Sequence, residues 1–337
     1  MRAVGYRKSL PIDDPQSLID IEVDKPTPQG RDLLVQVRAI SVNPVDYKVR
    51  KRAEPKDGEP AKILGYDATG VVAATGPDVT LFKAGDEVWY AGSIVRPGTN
   101  SEFHLVDERI VGKKPKSLDF AAAAALPLTS ITAWEMLFDR FAIAHGGGEG
   151  KSLLIVGGAG GVGSICIQLA RRLTKLTVIA TASRPETQAW CKELGAHHVV
   201  DHSKPMTEQI RATGHRFVDY VFGVTHSDQH FDTIAEVIAP QGKFGLIDDP
   251  KPFEFSRLKG KSASLHWESM FVRSTFQTPD MIAQHNLLDA VAEMVDAGTI
   301  RTTVAENLGR INAANLKRAH AMVESNRTRG KLVLEGF

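Results

Sequence analysis

Cysteine is scarce in this sequence. Only Cys166 and Cys191 occur among 337 residues, and neither stands in a cluster of candidate metal ligands. So few thiols exclude a disulfide framework, and their spacing gives no multi-cysteine metal site. Both fall in stretches that we expect to be helical. We therefore interpret them as reduced, buried packing residues.

An excess of charge of either sign is also missing. Lys and Arg number 41 against 40 Asp and Glu, a formal net charge of +1. This balance leaves no electrostatic footprint for nucleic acid or for an anionic membrane. No apolar run approaches the roughly 20 residues that span a bilayer, and the N-terminus lacks the apolar segment of a signal peptide. We expect a cytoplasmic protein with neither a nucleic-acid nor a membrane partner.

A glycine cluster is the most informative stretch that is present. The apolar run 153–156 leads into Gly158-x-Gly160-x-x-Gly163, and a helical pattern follows over 164–173. Between a strand and a helix, such glycines permit a tight turn, close approach of a pyrophosphate and close helix packing. The alternative is a glycine-rich turn in an α/β protein without a nucleotide. On the first interpretation the turn binds a dinucleotide through Gly158, Ala159, Gly160, Gly161, Val162 and Gly163.

Strand and helix patterns alternate after residue 150. The predicted strands are 153–156, 177–181, 198–201, 218–223 and 242–247, each followed by a helix or a turn. This alternation is typical of an α/β protein with a doubly wound parallel sheet. A further strand at 265–272 would lie at the edge of that sheet, where it could pair with a second copy to form a homodimer. Residues 1–120 instead contain short strands punctuated by Pro and Gly, as in a β-rich barrel.

The end of the second predicted strand indicates which dinucleotide is bound. An acid there would accept a hydrogen bond from the ribose 2′-hydroxyl of NAD. The sequence has Ser183 and Arg184 in its place, which suit a 2′-phosphate. We therefore predict NADPH, the alternative for Arg184 being a solvated loop residue. Thr132 and the strand ends at Gly223, Val224 and Ile247 are further predicted cofactor contacts.

Several motifs resemble the medium-chain dehydrogenase/reductase superfamily. They are Gly65-Tyr66-Asp67-Ala68-Thr69-Gly70, the 82–88 stretch Phe-Lys-x-Gly-Asp-x-Val, the 126–134 stretch around Leu-Pro-Leu-Thr, the glycine turn, and Leu194-Gly195-Ala196. The quinone oxidoreductase and zinc-type alcohol dehydrogenase-like branch is the most similar. The resemblance implies a GroES-like domain over 1–125, completed by 295–337, and a Rossmann domain over 126–294. It also implies an active site in the cleft between them.

The same resemblance raises the question of catalytic zinc. Zinc-dependent members use a Cys, a His and a second Cys, which correspond here to Asn43, Tyr66 and the 129–133 region. No cysteine precedes Cys166, so the second Cys and the structural zinc lobe are missing as well. An amide and a phenol do not supply the ligands that tetrahedral zinc requires. We expect no metal site.

Without a metal, hydrogen-bond donors must stabilise the oxyanion that develops on the acceptor carbonyl. Asn43 and Tyr47, whose positions resemble the Asn and Tyr of quinone oxidoreductases, are the first candidates, and Tyr66 is the third. Each tyrosine has the alternative of being a half-buried structural aromatic.

Two neighbouring acids are expected to be structural. We expect Asp46 to orient its loop, and Asp67 to make a hydrogen bond or an ion pair, with Lys48 or Arg50 as the suggested partner.

The sequence therefore predicts an NADPH-dependent oxidoreductase that transfers hydride to a quinone or enone carbonyl without zinc. An alcohol or aldehyde dehydrogenase with atypical zinc ligands is one alternative. A non-catalytic NADPH-binding protein is the other.

Overall fold

The computed structural model describes all residues from Met1 to Phe337, which form two compact units. The first contains residues 1–131 and 271–337, and the second contains 132–270. The sequence instead suggested boundaries after residues 125 and 294. Residues 271–294 lie in the first unit because helix α9 (Ala283–Asp296) packs on strand β8 (Val111–Lys113). The Asp289 carboxylate fixes this contact by accepting from the Lys113 N–H at 2.7 Å.

The first unit is built on two sheets whose strands pair mostly in antiparallel fashion. A three-stranded sheet has the order β2-β1-β4, and a seven-stranded sheet has the order β15-β16-β3-β5-β6-β8 with β7 paired to β3. The C-terminal strand β16 pairs with β3, so the tail returns to the first domain, as the sequence predicted. The strands are β1 (Arg2–Tyr6), β2 (Ile19–Glu22), β3 (Asp32–Val42), β4 (Lys62–Ile63), β5 (Ala68–Thr75), β6 (Glu87–Tyr90), β7 (Phe103–Asp107), β8, β15 (Val304–Asn307) and β16 (Lys331–Glu335). The helices are α1 (Pro44–Arg52), α2 (Phe120–Ala124), α3 (Pro127–Trp134, which continues into the second unit), α8 (Val272–Phe276), α9 and α10 (Ala313–Glu324).

The second unit is a Rossmann-type fold. Its six strands pair only in parallel, in the order β11-β10-β9-β12-β13-β14, which is 3-2-1-4-5-6 within the unit. The central strand is buried along its whole length, as expected for a sheet covered on both faces. The strands are β9 (Ser152–Val156), β10 (Thr177–Thr181), β11 (His198–Val200), β12 (Val218–Gly223), β13 (Ile238–Leu246) and β14 (Ser264–Trp267). The helices are α4 (Gly161–Leu173), α5 (Pro185–Glu193), α6 (Met206–Ala212) and α7 (Ser227–Val237).

The predicted α/β class with a GroES-like unit and a doubly wound sheet is confirmed. The parallel strands lie close to their predicted positions, and β14 is the edge strand that the sequence suggested, although it ends at Trp267 and not at Val272. Another region differs as well. The loop expected after Asn43 is helix α1, which starts at once because Pro44 suits a first helical position and the Asp46 carboxylate accepts from the Asn43 N–H at 2.7 Å.

One helical stretch is longer and more apolar than we expected of any segment from the sequence. Residues 120–140 are long and apolar enough to cross a membrane by length and composition alone. Of the most apolar window, 83% is buried inside the structure, and a core helix passes the same test. Its last part, 135–140, is π-helical rather than a continuation of the α-helix.

Candidate active site

The glycine turn between β9 and α4 has the geometry that a dinucleotide site needs. A Cβ on Gly163 would lie 2.3 Å from the Gly157 carbonyl oxygen, so only glycine lets α4 pack this closely on the turn. A Cβ on Gly158 would lie 2.7 Å from the Ala180 methyl group. At Gly160, the N-cap of α4, the nearest atom would be 3.6 Å away. Gly160 precedes the first turn of α4, whose N–H groups have no partners within the helix, and such a helix start favours a phosphate.

The ends of the neighbouring strands lie against this turn. The Gly157 N–H donates to the Thr181 Oγ1 at 3.0 Å, and the Val224 N–H donates to the Val156 oxygen at 3.1 Å. The Ile247 N–H donates to the Gly223 oxygen at 3.3 Å, which extends the same edge. The predicted cofactor residues Gly223, Val224 and Ile247 are thus at the carboxyl edge of the sheet beside the glycines. Residues at this edge bind ligands in folds of this kind.

Ser183 and Arg184 follow β10 after Ala182, and both are partly exposed. The Arg184 Nε lies 3.1 Å from a carboxylate oxygen of Glu186, and both side chains are well exposed. Arg184 is also the N-cap of α5, where the Thr187 hydroxyl donates to its carbonyl oxygen at 2.8 Å. No acid occupies the strand end itself. The guanidinium is therefore paired with an exposed carboxylate, and an exposed pair of this kind contributes little to stability.

Thr132 belongs to the second unit, lies on α3 and is 4% exposed. Its contact with a cofactor stays a prediction.

A buried polar network in the first unit surrounds Asn43. Its amide Nδ2 donates to the Asp67 Oδ2 at 2.8 Å, and its Oδ1 accepts from the Lys331 Nζ at 2.5 Å. The Lys331 ammonium also donates to the Val42 oxygen at 2.8 Å and lies 3.3 Å from Asp67. The Leu128 N–H donates to the other carboxylate oxygen of Asp67 at 2.8 Å. Both ends of the Asn43 amide therefore have internal partners, and its proposed role as a donor to substrate stays a prediction.

The two acids of this network titrate far from their usual range. Burial raises the pKa of Asp46 to about 7, with the charge of Asp67 adding to it and the Asn43 N–H and Lys331 opposing it. Burial likewise raises the pKa of Asp67 to about 6, against the effects of Lys331 and Asn43. Burial lowers the pKa of Lys331, and the two carboxylates oppose that shift. Asp67 pairs with Lys331 and not with Lys48 or Arg50, so that part of the expectation was wrong. Arg50 pairs with Glu324 instead.

Tyr66 is the best placed of the candidate donors. Its ring is 1% exposed and packs edge-on against Phe271, with 5.3 Å between ring centroids. The structure gives its hydroxyl no hydrogen-bond partner. Burial raises the pKa of this phenol, and the nearby Asp46 carboxylate adds to the shift, so Tyr66 keeps its proton at any physiological pH. A protonated phenol without a partner in the protein can donate a hydrogen bond to a bound molecule.

Tyr47 differs from Tyr66 in its surroundings. It is half-exposed on α1, and the Lys51 Nζ lies 5.1 Å from the centroid of its ring. Its role as a donor to substrate, like that of Tyr66, stays a prediction.

The residues at the expected zinc positions do not fit the metal. Asn43 already uses its carbonyl oxygen to accept from a lysine ammonium, and the Tyr66 phenol stays protonated. No group of three or more His, Cys, Asp or Glu residues in the chain has metal-binding geometry. Lys331 was not among the candidates chosen from the sequence. Only the pairing of β16 with β3 places it beside a residue 288 positions away.

Comparisons with known proteins agree with this architecture. Residues 29–116 match the family model of the alcohol dehydrogenase GroES-like domain, and residues 194–334 match that of the zinc-binding dehydrogenases. The second match includes none of the three expected zinc positions. A zinc-type alcohol dehydrogenase-like protein of Staphylococcus aureus is 41% identical over 337 residues, with 99% of both chains covered.

Two solved structures are similar along the full chain. A Rhizobium etli protein, provisionally described as a zinc-dependent alcohol dehydrogenase, has a TM-score of 0.96 at 60% identity and covers 100% of this chain and 98% of its own. An Escherichia coli quinone oxidoreductase complexed with NADPH has a TM-score of 0.85 at 23% identity, with 100% of both chains covered, which is a likeness of fold. The chain belongs to the zinc-type alcohol dehydrogenase-like branch of the medium-chain dehydrogenase/reductase superfamily, and it is an oxidoreductase of that family.

Proposed function

We propose that this protein is an NADPH-dependent reductase of quinone or enone carbonyls that works without catalytic zinc. The observation that carries the proposal is the hydrogen bond from Lys331 to Asn43, the first expected zinc position. A buried ammonium held by Asn43 and Asp67 supplies positive charge where zinc-dependent members hold a cation. The ammonium bound to the Asn43 oxygen also repels a metal cation there, and a charge-assisted bond of this kind is strong.

The cofactor preference rests on the second unit. The glycine turn and the start of α4 provide backbone N–H groups for a pyrophosphate. Ser183 and Arg184 stand where an acid would recognise the unphosphorylated ribose of NAD. When bound, the nicotinamide supplies the hydride.

The protein's own chemical contribution rests on the first unit. The Tyr66 hydroxyl donates a hydrogen bond to the carbonyl oxygen of the acceptor. This bond stabilises the negative charge that develops on that oxygen. Asp46 and Lys331 are positioning residues, because they fix the polar surroundings of Tyr66 and Asn43 without touching the acceptor. Tyr47 is the second candidate donor. A solvent proton completes the reduction.

Arg184 gives the experiment that tests the choice of cofactor. Replacing it with Ala should weaken NADPH binding by about 10- to 100-fold, the value of a charge-assisted hydrogen bond. NADH binding should change less than about twofold, since NADH lacks the phosphate. Glu186→Gln should strengthen NADPH binding, because Glu186 competes for the guanidinium. The exposed, ion-paired Arg211 offers a matched control as Arg211→Ala. Equal losses for both nucleotides in a fluorescence titration of Arg184→Ala would reject the phosphate role.

We also propose a homodimer that forms through β14, as the sequence suggested. This strand is the free edge of the six-stranded sheet, and Trp267 on it is 56% exposed. Open edges of this kind pair with a second strand. A mass measurement by light scattering should give two chains for the wild type and one for Trp267→Glu, and a monomeric wild type would reject the dimer.

A further inference from the structure

A histidine outside the predicted site stands beside the predicted phosphate-binding residues. His202 follows β11, and Ser183 follows β10, its parallel neighbour. The register pairs Thr181 with Val200, and the Ala182 N–H donates to the Val200 oxygen at 3.0 Å, so Ser183 and His202 each come two residues after the last paired residue of their strand. Neighbouring strands lie about 4.8 Å apart. His202 is half-buried, and it lies at the same carboxyl edge of the sheet as Ser183 and Arg184.

His202 is also connected to the glycine turn. Its Nδ1 lies 3.2 Å from the Thr181 Oγ1, and the same oxygen accepts from the Gly157 N–H at 3.0 Å. The Thr181 hydroxyl has no other partner, so its single hydrogen goes to the Nδ1 of neutral His202. This fixes the neutral tautomer with hydrogen on Nε2. Protonation adds a hydrogen at Nδ1, which then donates to Thr181, and the bond from Gly157 is kept.

The Nε2–H of His202 is therefore a donor in both charge states, and it has no partner in the protein. We propose that His202 binds the phosphate on the adenosine ribose of NADPH through Nε2–H, and that its protonation strengthens this binding as pH falls. The inference rests on the proposed NADPH preference and adds a second recognising residue with a pH-dependent charge.

The groups around His202 set where this change occurs. Burial lowers the pKa of His202 below its ordinary value, the charge of His226 adds to that, and Asp201 opposes it. The ring of His230 on α7 lies 5.9 Å from that of His202, and burial and the two other histidines lower its pKa too, against Asp228 and Asp248. Lys204 offsets Asp201, at 3.3 Å from its carboxylate. In the free protein the imidazole is thus mainly neutral at pH 7, and a phosphate dianion nearby would draw the proton back on.

The test compares His202→Gln with the wild type in NADPH and NADH titrations between pH 5.5 and 8.5. The phosphate of NADPH titrates in both proteins, so the wild-type affinity divided by that of His202→Gln reports the effect of the histidine alone. We expect this ratio to rise about fivefold or more for NADPH from pH 8.5 to pH 5.5, and to stay within about twofold for NADH. His215, which bonds to Thr213 and contacts His198, provides the matched control as His215→Gln. That variant should follow the wild type.

A second measurement uses the wild type alone. Adenosine 2′,5′-bisphosphate should raise the pKa of His202 followed by NMR of the histidine rings, and AMP should not. A flat affinity ratio together with an unmoved His202 resonance would overturn this inference while the effect of Arg184→Ala still supported NADPH. Equal binding of NADPH and NADH by the wild type would overturn the inference and the NADPH preference together.

Discussion

Three buried polar side chains of the first unit are joined by hydrogen bonds and an ion pair. Asn43, Asp67 and Lys331 form a closed set in which an amide, a carboxylate and an ammonium satisfy one another away from water. Breaking a buried set of this kind by removing one member costs about 3–5 kcal/mol, because the others keep their desolvation penalty. The sequence indicated Asn43 as a candidate donor and Asp67 as a structural hydrogen-bonding or ion-paired residue. It also suggested that Asp46 orients its segment, and the Asp46 carboxylate does accept from the Asn43 N–H. It could not indicate Lys331, since that proximity is created by strand pairing.

Asp46 should make stability depend on pH in an unusual direction. Its pKa is raised to about 7 in the folded protein from an ordinary 3.8. Between these values the folded state binds a proton that the unfolded state does not, so this acid's contribution is present at low pH and is lost as pH rises through about 7. The free energy of unfolding of the wild type, relative to Asp46→Asn, should fall by roughly 2 to 3 kcal/mol from pH 5 to pH 8. Urea unfolding measures it, and the exposed Asp57→Asn is the control. A constant difference would contradict the shift.

Tyr66 should affect turnover more than binding. Tyr66→Phe removes the unpaired hydroxyl and keeps the ring against Phe271, so the fold should persist. We expect kcat to fall about 100-fold or more, the usual size of the loss when one oxyanion donor is removed, while the Kd for NADPH stays within about twofold. Tyr47→Phe, measured in parallel, tests the competing donor, and Tyr90→Phe controls for a buried structural phenol. If Tyr47→Phe lowers kcat and Tyr66→Phe does not, the two tyrosines exchange roles.

Elements with a strong periodic pattern were predictable, and those held by distant contacts were not. Strands β10 and β12 and helix α10 lie where the sequence placed them, because their apolar residues recur at strand or helix spacing. Helix α1 has no apolar stripe. Its Arg50 is fully buried and pairs with Glu324 on α10, so a contact across 274 positions supports it. The sheet β2-β1-β4 joins short segments far apart in the chain, and a two-residue strand leaves no periodicity to detect.

The turn between β9 and α4 allows a matched pair of substitutions. Gly163→Ala places a Cβ 2.3 Å from the Gly157 oxygen, and a backbone atom must move, so we expect a loss of roughly 2 kcal/mol or more in the free energy of unfolding. Gly160→Ala meets nothing closer than 3.6 Å and keeps a φ of −73° that alanine accepts, so it should fold normally. Its methyl group should still weaken NADPH binding, because it fills the space for the pyrophosphate. Normal NADPH affinity in Gly160→Ala would contradict this placement of the phosphates.

The molecule as a whole combines an NAD(P)-binding fold with a buried polar network whose residues do not fit a metal ion. The α/β class, the doubly wound parallel sheet and the family were predictable because the glycine turn and the surrounding motifs occur in a fixed order along the sequence. The details that separate a zinc enzyme from a zinc-free one were predictable only in part. The missing zinc ligands are visible in the sequence, whereas the position of Lys331 beside Asn43 appears only in the folded chain.

The most direct test of zinc-free reduction is NADPH oxidation by protein dialysed against a chelator, with zinc measured in the same sample. The assay follows the fall in NADPH absorbance with a panel of quinones, enones and aldehydes. We predict that quinones or enones are reduced at an unchanged rate when zinc is below about a tenth of an atom per chain. Activity that disappears with the metal and returns with added zinc would contradict the account, as would NADPH binding without oxidation by any acceptor.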